Sequence, residues 1–248
     1  MRKFKKWKTE SKSALKSEIK QELKQELKYE LKTGSKIEGG PEAYTGHKPK
    51  PLNIANKVMK AICKITVKTN KGILHGTGFF MNYSDSLKCL ITNYHVINPN
   101  VENDNIEIEI HNKKIMKLKF KNRYRKYLER PKDIAMIEIK ESEEIYNDII
   151  FLDYDNNYTK KGYSIYKNVD IFSIEHPYGE VASCASETII NIYEYEIEHD
   201  ISTDTGSSGC PIILLNNNIN LILVIGIHKE GDKNHHINGG TFIGEIFN

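Results

Sequence analysis

The chain from Ala61 onward consists of short apolar or alternating runs that follow one another closely. A first series holds "AICKITVKT", "GTGFFM", "KCLITN", "NIEIEIHN", "IMKLKF" and "DIAMIEI", and a second holds "VDIFSIEH", "ETIINIYEYEIE", "CPIILL", "LILVIGIH" and "GTFIGEIF". Runs rich in Ile, Val, Tyr and Phe that are separated by Asn, Asp and Gly are typical of strands joined by turns. No long amphipathic helix pattern interrupts either series. Residues 58–248 are therefore predicted to be all-β, with about a dozen strands in two sub-barrels or sheets.

The domain boundaries follow from changes in composition. Residues 140–168 are polar and rich in Tyr, so we interpret them as the connection between two halves at about 58–145 and 160–248. Residues 37–57 contain "GGPEAYTGHKPKP", in which Gly and Pro break any helix, and they are predicted to be a linker. Residues 1–36 carry a net charge of +7, whereas the rest of the chain carries −4.

The N-terminal segment, residues 1–36, is predicted to be a Lys/Glu-rich helical or disordered extension. Apolar residues recur every four positions and form a stripe that winds around a helix: Leu15, Ile19, Leu23, Leu27 and Leu31. Columns of like charge flank the stripe, so the isolated helix is marginal. Three interpretations stay open, namely a solvated tether, self-association, and contact with an anionic surface through "MRKFKKWK".

Several function classes are not indicated. No run of about 18 apolar residues encodes a membrane span, and no apolar segment of a secretory signal follows the basic N-terminus. Four widely spaced cysteines suggest reduced, mostly buried thiols in an intracellular protein. Clustered Cys and His are absent, and the neighbours His235 and His236 would point to opposite faces of a strand. We expect no metal, no cofactor and no nucleic-acid partner.

Two residues at strand ends are candidates for acid–base chemistry. His95 follows an apolar strand in "CLITNYHVI", and Asp133 opens another in "ERPKDIAMIEI". A partly buried carboxylate needs a hydrogen-bond donor, and a His ring N–H is a suitable one. Taken alone, each residue fits a blander interpretation, a packed or surface His and an Asp in a turn.

The stretch "TDTGSSGCP" is a candidate nucleophile turn. Gly206 and Gly209 flank two serines and permit a tight turn with positive φ. Such a turn can direct the N–H groups of Gly206 and Ser208 at one point and so form an oxyanion hole. Pro211 then opens the next strand, where its missing N–H is tolerated.

Five motifs in order, "GTGFFM", "LITNYHV", "KDIAMIEI", "GSSGCP" and "VIGIHKEG", resemble the trypsin/chymotrypsin-like serine peptidases. Within that family, the likeness is to the bacterial glutamyl endopeptidases and related peptidases. The resemblance spans about residues 58–248 and implies two six-stranded antiparallel β-barrels with the active site between them. It implies that His95 is the general base, Asp133 the carboxylate that orients it, and Ser208 the nucleophile. The order His, Asp, Ser along the chain is also that of the family.

The same resemblance implies a specificity pocket. His228 and Thr203 match a His and a Thr that bind Glu or Gln before the scissile bond, and Ser202 replaces the carboxylate of a trypsin pocket. The residues after His228 are expected to pair with the substrate backbone by strand addition: Lys229, Glu230 and Gly231. A serine endopeptidase that prefers Glu or Gln is therefore the predicted function, with a protein or peptide as substrate.

Departures from the family leave alternatives open. Ser207 stands where trypsin-type zymogens need an Asp, so "KIEGG" is interpreted as part of the linker. Cys210 replaces a glycine and is not the expected nucleophile. A non-catalytic peptide-binding module on the same fold is the main alternative, and a tethered effector with the barrels as scaffold is another. The presence of His95, Asp133 and Ser208 together favours an enzyme.

Overall fold

A computed structural model describes residues 52–70, 72–111, 113–216, 221–232 and 237–248, all within one compact unit. The extension predicted for residues 1–36 and the linker up to residue 51 lie outside the described residues. The described helices include none that is long and apolar enough to cross a membrane.

A short helix, α1 (Leu52–Met59), precedes the strands. It begins inside the segment 37–57, which we predicted to be a linker that Gly and Pro keep from being helical. The last proline of that segment is Pro51, and "LNIANKVM" after it contains neither Pro nor Gly. Val58 of α1 is fully buried in the core, so packing stabilises a helix too short to persist alone.

The first barrel is an antiparallel sheet of seven strands in the order β5-β4-β1-β2-β3-β7-β6. Its strands are β1 (Ile62–Thr69), β2 (Gly72–Asn82), β3 (Lys88–Thr92), β4 (Asn105–Ile110), β5 (Ile115–Lys117), β6 (Arg125–Leu128) and β7 (Ile134–Glu138). In β4 the three isoleucines are buried and the residues between them are half-buried, as the alternation of "NIEIEI" predicts. The isoleucines belong to a core cluster inside this barrel.

The second barrel also has seven strands, in the order β12-β9-β10-β11-β14-β13-β8. They are β8 (Asp153–Tyr154), β9 (Asp170–Glu175), β10 (Ser183–Tyr193), β11 (Glu196–His199), β12 (Pro211–Asn216), β13 (Leu221–Asp232) and β14 (Ile237–Phe242). Pairing of β12 with both β9 and β13 closes six of them into an antiparallel barrel, and β8 adds a short parallel strand to β13.

Short helical turns join the strands. Helix α2 (Tyr158–Lys161) lies in the predicted connection, and four 3₁₀ helices occur at Pro99–Val101, Tyr163–Tyr166, Pro177–Gly179 and Ile243–Phe247. The last of these was not anticipated, because "GTFIGEIF" was interpreted as a strand, whereas β14 ends at Phe242. Its buried Ile243 and Ile246 belong to the apolar cluster that joins the two barrels.

The all-β double barrel predicted from the sequence is confirmed. Each sheet has seven strands rather than six. The two that no predicted run anticipated are β6 and β8, which are four and two residues long. Strands this short leave no periodic signal. A core cluster between the barrels combines Phe79 and Ile91 of the first with Phe172 and Ile213 of the second. All four cysteines are unpaired, and only Cys184 is exposed.

Candidate active site

His95 and Asp133 form a tightly bonded pair at the edge of the first barrel. His95 lies three residues after β3, and Asp133 lies immediately before β7, which pairs with β3. The Asp133 carboxylate accepts hydrogen bonds from the His95 backbone N–H at 2.9 Å and from ring Nδ1 at 2.7 Å. Antiparallel pairing of β3 and β7 therefore brings together two residues that are 38 positions apart.

The environment of Asp133 fixes the orientation of the imidazole. The carboxylate is fully buried, and 34% of the His95 side chain is exposed. Asp133 adopts a left-handed φ of 58°, a conformation that Asp tolerates better than most residues. Its carbonyl oxygen accepts a bond from the Asn93 side chain at 2.9 Å. With Nδ1 donating to the carboxylate, Nε2 of His95 is left to accept a proton.

The turn at Gly206–Gly209 has two positions where only glycine fits. Gly206 has φ 98° and Gly209 has φ 92°, both in the left-handed region. A Cβ on Gly206 would lie 2.7 Å from the His176 carbonyl oxygen, and one on Gly209 would overlap the carbonyl oxygen of Thr77. Both glycines therefore allow the turn to approach neighbouring backbone closely.

The backbone N–H groups of this turn divide into bonded and free ones. The Ser207 N–H donates to the Asp204 carbonyl oxygen at 3.0 Å. Within the described part of the chain, neither the Gly206 N–H nor the Ser208 N–H has a hydrogen-bond partner. These are the two groups expected to form an oxyanion hole, and they are available to an acceptor.

Ser208 lies in the same cleft as His95. The cleft has a volume of about 640 Å³. The Ser208 hydroxyl donates to the Lys229 carbonyl oxygen at 3.5 Å rather than to the imidazole. This contact is at the limit of a hydrogen bond, so little energy opposes rotation of the hydroxyl toward His95.

Thr77 connects the nucleophile turn to the first barrel. Its N–H donates to the Ser208 carbonyl oxygen and its buried hydroxyl to the Gly206 carbonyl oxygen, each at 2.9 Å. The hydroxyl also accepts a bond from the His176 N–H at 2.9 Å. Thr77 lies in the motif "GTGFFM". It was not predicted to be a site residue, because its partners Gly206 and His176 are more than 90 positions away in sequence.

The predicted pocket residue His228 is 3% exposed and has a second buried histidine as neighbour. Nδ1 of His228 lies 3.3 Å from Nε2 of His199. Thr203, the other predicted pocket residue, donates to the side-chain oxygen of Asn238 at 2.9 Å. Thr203, His228 and Asn238 all line the cleft.

Both pocket imidazoles are uncharged at neutral pH. Burial lowers the pKa of His199 to about 4. Burial, with smaller contributions from His199 and His95, lowers the pKa of His228 well below its usual value. His228 can therefore exchange hydrogen bonds with a ligand in the cleft, but neither imidazole carries a positive charge with which to bind an anion.

His199 was not among the site residues predicted from the sequence, and "EHD" (198–200) was interpreted as a loop near the cleft, which is wrong for His199. His199 is the last residue of β11, where Ile197 and His199 are buried and Glu196 and Glu198 are half-buried. The alternation of "EIEH" would have placed His199 on the same inward face as Ile197. That signal was present in the sequence.

The segment Lys229–Gly231 lines the cleft, as expected for a strand that a substrate could extend. A bulge between His228 and Glu230 interrupts its pairing with β14. The Lys229 side chain turns away into a buried site, where Nζ contacts the Pro131 carbonyl oxygen at 3.0 Å and the Glu196 carboxylate at 2.7 Å. Only the main chain of Lys229 is left to contact a ligand.

Among the described residues, no group of three or more His, Cys, Asp or Glu side chains is arranged to hold a metal ion. The adjacent His235 and His236 lie outside those residues.

Comparison with known proteins supports the fold. No family model and no curated protein matches the chain. Among solved structures, the serine endoprotease from Yersinia pestis is 16% identical with a TM-score of 0.58, and the match covers 81% of this chain and 65% of that one. The Rv3671c protease from M. tuberculosis in its active form is 15% identical with a TM-score of 0.58, and the match covers 86% of this chain and 92% of that one. Its inactive form is 16% identical with a TM-score of 0.56, and the match covers 81% of this chain and 94% of that one. This chain thus spans just under two thirds of the Yersinia chain and has the chymotrypsin-like double-barrel fold.

Proposed function

We propose that the protein is a serine endopeptidase with Ser208 as nucleophile. One observation carries the proposal. A buried carboxylate holds His95 by two hydrogen bonds in the cleft that also holds Ser208, where two N–H groups lack a partner. A nucleophile, a base, a group orienting the base and an oxyanion hole are the four parts that acyl transfer requires. The likeness to solved serine proteases supports the same conclusion.

The mechanism follows from these positions. The Ser208 oxygen attacks the substrate carbonyl carbon while Nε2 of His95 takes its proton. The resulting oxyanion accepts bonds from the N–H groups of Gly206 and Ser208, and Asp133 stabilises the imidazolium. The C–N bond then breaks, and His95 gives its proton to the leaving amine. Water hydrolyses the acyl-enzyme by the same proton transfers in reverse.

The pocket supports a preference for Glu or Gln before the scissile bond, as in glutamyl endopeptidase-like enzymes. His228 and Thr203 line the same cleft as Ser208. An imidazole N–H suits a carboxylate or amide oxygen, and so does the Thr203 hydroxyl once a ligand oxygen replaces Asn238 as its acceptor. When His199 Nε2–H donates to His228 Nδ1, Nε2 of His228 carries the proton and can donate to the substrate. His199 thus sets which tautomer faces the ligand.

Charges around the cleft favour the amide over the acid at neutral pH. The imidazoles of His199 and His228 are uncharged there, so they offer no counter-charge to a Glu side chain. Asp200 and Asp204 also line the cleft, and their carboxylates repel an anionic side chain. The basic residues of the lining, Arg130 and Lys229, are each paired with a glutamate. We therefore propose that Gln is cleaved better than Glu above about pH 6, and that the difference narrows in acid.

The remaining expectations are proposals as well. Residues 58–248 form the proposed peptidase domain, and a protein or peptide is its substrate. The substrate main chain is proposed to extend the strand at 229–231. The extension at 1–36 and the linker up to residue 51 remain predictions, and so do self-association and anionic-surface contact through residues 1–36.

The test is cleavage of a peptide library by the wild type, Ser208→Ala and Ser207→Ala. We expect cleavage after Gln and Glu, with a loss of at least about 10³-fold in Ser208→Ala. Ser207→Ala keeps the nucleophile and should retain measurable activity. Binding of peptides without cleavage by the wild type would contradict the proposal and favour a non-catalytic peptide-binding module.

A further inference from the structure

Lys229 is the bulged residue of the strand that the substrate main chain is proposed to extend. Its neighbours His228 and Glu230 pair with β14, and the register skips Lys229. The pairing of β13 with β12 ends before this residue. Among the described strands, no paired residue therefore fixes the position of Lys229, although its carbonyl oxygen faces the Ser208 hydroxyl at 3.5 Å.

The side chain of Lys229 is held where its main chain is not. The residue is 6% exposed, and its ammonium group donates to the Glu196 carboxylate at 2.7 Å and to the Pro131 carbonyl oxygen at 3.0 Å. Burial of an ammonium group is costly unless the group is paired and hydrogen-bonded, and an apolar side chain would avoid the cost. Stability alone therefore does not explain a lysine at this position.

The two partners of the ammonium group belong to different barrels. Glu196 opens β11 of the second barrel, and β14 lies between β11 and the strand of Lys229. The two β14 residues opposite the bulge are both glycines, so at these positions no side chain stands between Lys229 and Glu196. Pro131 belongs to the first barrel and lies two residues before Asp133. The bulge is thus fastened on both sides of the cleft.

We propose that Lys229 is a positioning residue whose ammonium group anchors the bulge, so that the main chain at 229–231 stays where it can pair with a substrate. One anchor is the segment before Asp133, so the strand is held relative to the proposed base as well as to its own barrel. The effect on cleavage rests on the proposed peptidase function. The effect on the strand does not.

The kinetic test compares two substrates with the same leaving group, acetyl-Gln amide and acetyl-Ala-Ala-Ala-Gln amide. The longer one can pair with residues 229–231, and two more main-chain hydrogen bonds should raise the kcat/KM of the wild type about 10- to 100-fold. In Lys229→Met this ratio should fall below about threefold, because Met fills a similar space without donating. A general loss of folded enzyme would lower both kcat/KM values equally and leave the ratio unchanged.

Lys132→Met is the matched control. The Lys132 ammonium group also pairs with a glutamate of the second barrel, Glu245, at 2.7 Å, but it does not hold the strand at 229–231. The ratio should stay within about twofold of the wild type. An unchanged ratio in Lys229→Met, or an equal fall in Lys132→Met, would overturn the proposal.

Two variants of Glu196 test the anchor even if Lys229→Met does not fold. The Glu196 side chain is 41% exposed, so it can be replaced with less disturbance of the core. Glu196→Gln keeps an oxygen that accepts from the ammonium group, and its ratio should stay within about twofold of the wild type. Glu196→Ala leaves the ammonium group with Pro131 alone, and its ratio should fall about three- to tenfold. Equal ratios in the two variants would overturn the proposal.

Hydrogen exchange tests the positioning role without relying on hydrolysis. Beside the bulge, the His228 N–H donates to the Cys210 carbonyl oxygen at 2.9 Å, and the Gly209 N–H donates to the His228 carbonyl oxygen at 3.1 Å. Both N–H groups should exchange about tenfold faster in Lys229→Met than in the wild type, and at the wild-type rate in Lys132→Met. Unchanged exchange in Lys229→Met would overturn the positioning role. A wild type that cleaves neither substrate while exchange responds as expected would instead overturn the peptidase function and leave the positioning role standing.

Discussion

The two barrels differ in charge and in what they bring to the site. Residues 58–152 hold 16 basic and 12 acidic residues, a net charge of +4, whereas residues 153–248 hold 5 basic and 14 acidic, a net charge of −9. The first barrel supplies His95 and Asp133, bonded to each other before any ligand arrives. The second supplies Ser208, the free N–H groups and the pocket. In the proposed mechanism the base and the residues that bind the substrate thus come from different barrels, and the proposed site exists only where the barrels meet.

Contacts between the barrels keep the two halves in register around the cleft. They include the bonds of Thr77 to the nucleophile turn and two bonds to the segment before Asp133. These two are Lys229 Nζ to the Pro131 carbonyl oxygen and Thr241 Oγ1 to the Lys132 carbonyl oxygen. Ion pairs join the opposite charges of the barrels at Arg130–Glu230 and Lys132–Glu245.

The largest expected effect concerns the first barrel. In Asp133→Asn the carboxamide no longer holds the imidazole in the tautomer that has its proton on Nδ1, so Nε2 is not kept free to accept the Ser208 proton. We expect kcat/KM to fall by about 10⁴-fold with the fold intact. Steady-state kinetics measures kcat/KM, and circular dichroism measures whether the fold is intact. Asp148→Asn, a surface carboxylate of the same barrel paired with Lys114, is the control and should leave kcat/KM unchanged. A comparable loss in both variants would mean that Asp133 acts only through charge or folding.

The second barrel should be the acid-sensitive half. His199 has a pKa of about 4 when folded and about 6.5 when unfolded, so below pH 6.5 the unfolded chain gains a proton that the folded chain does not. The free energy of unfolding should therefore fall by about 3 kcal/mol from this residue as pH drops from 6.5 to 4.

Urea unfolding of the wild type and His199→Gln across this range measures that contribution. The wild type should lose about 3 kcal/mol more than the variant, and most of the loss should occur below pH 6. If the free energy of unfolding depended on pH equally in the two proteins, the pKa of His199 would not differ between the folded and unfolded states.

Breaking the contact between the barrels should have an intermediate effect. Thr77→Val leaves the Gly206 carbonyl oxygen and the His176 N–H without their shared partner, at a cost of about 1 to 3 kcal/mol of unfolding free energy. Because the lost bonds end on the nucleophile turn, kcat should fall more than KM rises. Thr66→Val, which alters a hydroxyl at the surface of β1, is the control. Equal stability of the two variants would contradict a bridging role for Thr77.

The smallest expected effect tests the negative charge of the second barrel. Asp200→Asn keeps an acceptor for the Thr188 N–H but removes a carboxylate from the cleft. The ratio of kcat/KM for Glu to that for Gln peptides should rise about two- to fivefold at pH 7.5 and low salt. Asp170→Asn, an exposed carboxylate of the same barrel at the start of β9, should leave the ratio unchanged. A fall in the ratio for Asp200→Asn would contradict the electrostatic preference for the amide.

The sequence predicted what depends on local pattern. Strand periodicity indicated the all-β double barrel, and strand-end positions pointed to His95 and Asp133, which the structure brings into contact. The resemblance to the serine peptidases, rather than local pattern, implied pocket roles for Thr203 and His228, and both residues line the cleft. The catalytic and binding roles of these residues remain predictions.

What the sequence did not reveal depends on packing between distant segments. Thr77 bonds to Gly206 and His176, which are brought near it only when the barrels form. The start of α1 at Leu52 depends on packing against a core that the preceding Pro-rich segment does not indicate. The short strands β6 and β8 are defined by their neighbours alone.

Labelling with a fluorophosphonate probe, followed by mass spectrometry of the tryptic peptides, tests most directly whether the two barrels form one hydrolase site. We expect a single adduct on Ser208 of the full chain, none on Ser207, and labelling slowed by at least about 10²-fold in His95→Ala, because the base from the first barrel activates the serine of the second. The absence of an adduct on the wild type, or an adduct on Ser207 or Cys210 instead, would contradict this site.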